Sequence, residues 1–164
     1  MQSTSPSSQQ NGKALAFLRI AVGVLFLIFA QYKVFGTQFT LHGGLQFWIN
    51  KFLEDGAYPF MVPILRTLVL PHATLFAFFV AYSELAIGIA LTLGIGVRPA
   101  SVGGLIFMLG LLFSSNYPGA HAPLWQYFGA SLDHLVLALC FVAFLIGRSD
   151  SRWSLRRNQV RPAK

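Results

Sequence analysis

The feature that most constrains this chain is a set of long apolar runs without charge. In hydrocarbon every backbone N–H and C=O must find a partner within the protein, so a run of about 20 such residues becomes a helix. Four segments qualify: 14–35, 72–97, 99–117 and 127–147. The third contains no charge, and Asp133 is the only acid in the fourth. Composition points the same way. Of 164 residues, 55% are apolar and 10% charged, against roughly 25% charged in an average soluble domain. The predicted class is all-α, a four-transmembrane-helix antiparallel bundle. The first run is too long for a cleaved signal peptide, and Gln31-Tyr32-Lys33 follows it where small residues would be needed.

The net charge of +7 would suggest nucleic acid in a soluble protein. Here the basic residues flank apolar runs, as at the cytoplasmic ends of membrane helices, and no nucleic-acid partner is expected. Lys13, Arg98, Arg148, Arg152, Arg156, Arg157, Arg161 and Lys164 fall on one side of a four-span topology. The other side carries Lys51 and Arg66, offset by Glu54 and Asp55. Both termini are therefore expected in the cytoplasm, with the chain in the bacterial inner membrane. Residues 1–13 read as a mobile polar tail around a membrane domain over 14–147, and 148–164 as a basic tail attracted to anionic lipid.

The first outer loop, about 36–71, holds Leu45, Trp48, Ile49, Phe52 and Leu53 at helical spacing. This predicts a short interfacial helix, ended at Gly56. Pro59, Pro63 and Pro71 are expected to break the chain before span two.

Small residues let membrane helices approach, and each span offers a stripe of them. The stripes are Arg19, Gly23, Phe26, Ala30 and Lys33; Glu84, Gly88, Leu91, Ile95 and Arg98; Gly103, Phe107, Gly110 and Ser114; and Asp133, Val136, Cys140, Ala143 and Gly147. They carry the intramembrane charges, which are costly in lipid and turn toward a partner. At 1.5 Å per residue, Glu84 and Asp133 lie about 20 Å from the inner ends of their spans, and Lys33 about 29 Å from its own. Side chains lean toward the helix N-terminus, so Lys33 leans inward and the two acids outward.

A polar cluster of Lys33, Glu84 and Asp133 is therefore predicted, with His134 adjacent but about 100° around the helix. Two acids with one base favour a shared proton. The cluster is either a proton or ligand site or an ion-pair staple that fixes helix register. Arg19 is expected to snorkel toward the cytoplasm. His42, His72, His121 and His134 all fall in the outer half, where His72 and His134 are candidates to meet a quinone carbonyl, with Trp48 as a roof. No two histidines have metal-ligand spacing on one helix, and a single cysteine, Cys140, leaves no cysteine-rich cluster, so neither metal nor haem is expected.

The segment Leu18-Arg19-Ile20-Ala21-Val22-Gly23, then Phe26, Lys33 and Phe35, resembles the opening of DoxX/DoxD-like membrane proteins. So does Glu84-Leu85-Ala86-Ile87-Gly88, followed by Leu91, Gly94 and Arg98-Pro99-Ala100. The resemblance implies a four-helix membrane protein and, for DoxD-like members, the large subunit of a thiosulfate:quinone oxidoreductase. Other DoxX-like proteins are partners in membrane redox complexes. Three functions follow as expectations. The first is a quinone-linked redox subunit using Lys33, Glu84 and Asp133, with other redox subunits as partners. The second is a non-catalytic accessory subunit of a respiratory or photosynthetic complex. The third, a small transporter or channel, lacks a continuous polar stripe.

Overall fold

The computed structural model describes residues 6–147 and 153–155, with side chains from Gln10 onward. Among these residues the chain is all-helical, without strands. Its long helices are α1 (Pro6–Phe35), α5 (Ala73–Leu93), α6 (Val97–Ser114) and α8 (Leu132–Ile146). Short helices α2 (Thr37–Thr40), α3 (Gly44–Asp55) and α4 (Met61–Ile64) fill the first loop, and α7 (Leu124–Gly129) precedes α8. Three stretches are long and apolar enough to cross a membrane: Gln10–Phe35, Met61–Leu93 and Val97–Ser114. The fourth, α8, has 15 residues. At 1.5 Å each that is about 22 Å, less than a bilayer core of about 30 Å.

Three boundaries differ from the expectation. Helix α1 begins at Pro6, so the described part of the expected tail, 6–13, is helical and continuous with the first span, and residues 1–5 lie outside the described residues. A proline is favoured at a first helical position, where its missing N–H has no partner to lose. The start of span two moves back to Met61. Pro63 sits in the first turn, where amides are unpaired in any case. Pro71 is absorbed by a π-helical turn over Leu65–Val69 and a tight turn over Leu70–His72. In the fourth span the helix is interrupted at Ala130 and Ser131. The Ser131 hydroxyl there lies 3.2 Å from Asn116 Nδ2, which donates to it. The rest of the basic tail, 148–152 and 156–164, lies outside the described residues.

The bundle consists of two antiparallel pairs. Helix α1 packs along α5, and α6 along α8. The first pair closes through glycines: a Cβ on Gly23 would come within 2.6 Å of Thr92, and one on Gly88 within 2.9 Å of Leu27. The predicted faces hold there. Arg19, Gly23, Phe26 and Ala30 are buried on α1, and Glu84, Gly88 and Leu91 on α5. Helix α5 then ends at Gly94 in a left-handed turn, so Ile95 and Arg98 leave the stripe and are exposed.

In the second pair the faces are rotated. Helix α6 buries Ser101, Gly104, Met108 and Leu112, and α8 buries Ala138, Phe141 and Phe144. The Phe141 ring fills the position where a Cβ on Gly104 would sit. A large side chain thus meets a small one, whereas the expectation had paired small faces with each other. This is what close packing at uniform density requires. An edge-to-face contact between Phe26 and Phe141, with ring centroids 5.5 Å apart, joins the two pairs.

Each end of the bundle is tied. At the tail end the buried Arg19 donates to the carbonyls of Leu91 and Trp153, the latter at 2.8 Å. Ser154 Oγ donates to the Gly94 carbonyl at 2.6 Å. Arg19 was expected to snorkel. Instead it supplies donors to a carbonyl in the last turn of α5 and to segment 153–155. At the loop end the Tyr58 amide donates to Phe113 O and the Tyr117 amide to Gly56 O, at 3.1 and 2.8 Å. Tyr58, Phe113, Tyr117 and Tyr127 cluster there. Burial, with the facing phenols of Tyr127 and Tyr117, pushes the Tyr58 phenol above its usual range.

Candidate functional site

Lys33 stands in the last turn of α1, where a cation is favoured by the helix carbonyls. Glu84 stands near the middle of α5, about 14 Å from its tail end. Lys33 Nζ donates to both Glu84 oxygens, at 2.6 and 2.7 Å. The side chains are 12% and 6% exposed, so the pair is withdrawn from its surroundings. Phe39, delivered by α2, sets its ring centroid 5.0 Å from the Lys33 ammonium. This offsets part of the cost of removing a charge from water.

The pair forms part of the wall of a cavity of about 950 Å³ between α5 and α6, roofed by α3. Leu45, Trp48, Ile49 and Phe52 line the roof, so the predicted amphipathic helix lies over the pair. Tyr32, Lys33, Glu84 and His134 are the ionisable wall residues, and nearly all the rest is apolar. Phe79 and Ile106 also line it while remaining 66% exposed, which marks an opening on the bilayer-facing flank. The same composition, an apolar concavity with few polar groups, is typical of small-molecule sites.

The other candidates separate. Asp133 does not join Lys33 and Glu84, because its side chain is 74% exposed. The rotated face of α8 turns His134 inward in its place. His134 Nδ1 is buried and lies 3.2 Å from Asp133 Oδ1 without the alignment of a hydrogen bond. His72 lies outside the cavity, exposed in the tight turn just before α5, with Nδ1 3.0 Å from the Leu68 carbonyl. His42 and His121 are exposed, also outside the cavity. Cys140 packs beside the apolar core. Sequence reasoning missed Gly103 and Gly110 as wall residues, having assigned them to a helix contact. The sequence carries no signal that separates them from Gly104, one position along, which is the glycine that receives an aromatic ring.

A sequence model described as DoxX matches residues 14–116, from the first span through the end of α6. The chain belongs to the DoxX family. The match includes Lys33, Glu84 and the whole α3 roof, and stops before α7 and α8. His134 is thus contributed to this DoxX cavity by the part of the chain beyond the family match. No curated protein and no solved structure matches the chain.

Proposed function

We propose that this DoxX-family chain is the membrane subunit of a quinone-linked redox system, of the type exemplified by thiosulfate:quinone oxidoreductase. One observation supports the reading most. A bilayer-facing apolar cavity holds a carboxylate, an ammonium and an imidazole on its wall and little else that is polar. Those groups suit a flat ring with carbonyl oxygens at its edge, so the residues present fit a quinone.

A quinone held there by Lys33, Glu84 and His134 would supply the electron-accepting chemistry. The protein's share is binding and proton handling. Lys33 Nζ, one of whose protons is not used on Glu84 in a two-bond pairing, offers a donor to a carbonyl oxygen. Glu84 holds or releases a proton at its carboxyl oxygens. His134 offers a ring nitrogen on α8. Trp48 and Phe52 of the roof exclude water from above. In this reading the Lys and Arg asymmetry sets both termini in the cytoplasm and the α3 roof on the outer face of the bacterial inner membrane.

The test is Glu84→Gln in native membranes. Quinone-dependent electron transfer, normalised to the amount of folded protein in the membrane, should be abolished. Unchanged turnover in that variant would sink the proposal.

A further inference from the structure

Three glycines on α6 divide between two tasks. Gly104 faces α8 and receives the Phe141 ring. Gly103 and Gly110 face the cavity, and their packing environments are open. A Cβ on Gly110 would meet nothing within 4 Å, and one on Gly103 only Ile87 Cδ1, at 3.9 Å. Neither adopts the positive φ that calls for glycine. Glycine is unfavourable in a helix interior, so packing and backbone geometry leave these two positions unexplained. What they do is deepen one wall of the cavity.

The cavity is polar at one end only. Counted from the α5–α6 turn, Glu84, Ile106 and Gly110 lie at similar depths, about 14–20 Å along their helices. Lys33 and Glu84 stand at that level under the roof, and His134, also on the wall, lies about 18 Å from the tail end of α8. Toward the turn the walls are Ala90, Ile95, Pro99, Ala100 and Gly103, without a polar side chain. Ile95 and Ile106 are exposed along the rim, so this half is a groove open to lipid along its length.

We infer that the site takes a long-tailed amphiphile laterally from the bilayer, its acceptor-bearing head beside Lys33 and Glu84 and its single apolar tail along the groove floored by Gly103. This rests on the quinone reading for the head and adds a requirement for the tail. Counted from the same turn, Gly103 lies at about 9 Å, on the turn side of Glu84, and Gly110 at about 20 Å, on its roof side, so filling them has different consequences.

The full chain, with Trp125→Phe and Trp153→Phe so that Trp48 alone reports, is reconstituted in nanodiscs of one lipid composition. Quenching of Trp48 is titrated with decylubiquinone, with its tail-free benzoquinone head and with dibromostearate. Comparing variants at fixed lipid cancels partitioning. Gly103→Leu should weaken decylubiquinone about tenfold, the worth of roughly two buried methylenes, and leave the tail-free head within about twofold. Gly110→Leu should weaken both. Should Gly103→Leu fail to melt cooperatively, Ala90→Leu fills the same groove from α5.

Equal weakening of both quinones by the groove variant, or no effect on either, overturns the tail groove while quinone binding itself stands. Quenching by dibromostearate that is sensitive to Gly103→Leu, without quenching by either quinone, keeps the groove and removes the quinone reading. No quenching by any of the three removes both.

Discussion

Lys33 Nζ lies within 2.7 Å of both carboxylate oxygens of Glu84, across 51 positions of sequence, and joins the end of α1 to the middle of α5. A pair so enclosed is a poor source of net stability, because desolvating two charges offsets their attraction. Removing one partner is another matter.

Lys33→Met should therefore destabilise the protein by about 3–5 kcal/mol, leaving Glu84 uncompensated. The double variant Lys33→Met/Glu84→Leu should recover more than half of that loss. Thermal unfolding in one detergent measures both. If the double variant is as stable as the native chain yet fails to bind decylubiquinone, the pair serves the ligand more than the fold.

On α8, adjacent residues should behave oppositely. Asp133→Asn, at an exposed position, should change stability by no more than about 0.5 kcal/mol and leave quinone binding alone. His134→Leu should weaken binding about two- to tenfold, the net worth of one hydrogen bond. Titration of Trp48 fluorescence checks this, and the reverse order of effects would restore the face first read from the sequence.

Gly104→Ala should cost about 1–3 kcal/mol, since the added methyl overlaps the Phe141 ring. Gly110→Ala should gain about 0.4–1 kcal/mol, because the helix improves and nothing is displaced. Phe141→Leu should rescue part of the Gly104→Ala loss. Melting curves of the four variants are sufficient.

Arg19→Met should remove two charge-assisted bonds to carbonyls, at about 1.5–3 kcal/mol each, and detach segment 153–155 from the end of α5. Limited trypsin digestion should then cut faster at Arg152 and Arg156 than in the native chain. Equal cleavage rates would mean that Arg19 does not retain the segment.

The hydrophobic runs made the all-helical membrane fold legible, and so did the expense of charge in lipid for Lys33 and Glu84. The α1 face was readable because Arg19, Gly23 and Lys33 share one stripe with few alternatives. Helices α6 and α8 were harder. They are apolar all round, so the sequence does not mark a face, and matching small residues to small ones gave the wrong rotation. Packing instead put Phe141 into Gly104, which moved Asp133 out and His134 in. The break at Ala130 and Ser131 carries no proline, and its hydroxyl partner, Asn116, lies 15 residues away. Such long-range polar ties, like those of Tyr58, leave no local pattern to read.

The tie between Arg19 and Trp153 spans 134 positions. A growing chain delivers α1 to the membrane well before Trp153. The bond from the guanidinium to the Trp153 carbonyl therefore forms only after all four long helices have been made, whereas Leu91 O is available to it once α5 is in place. A nascent chain halted after α8 would hold the same four helices and still lack the lock, which makes the order of manufacture, as well as the final contact, part of how this protein reaches its folded state.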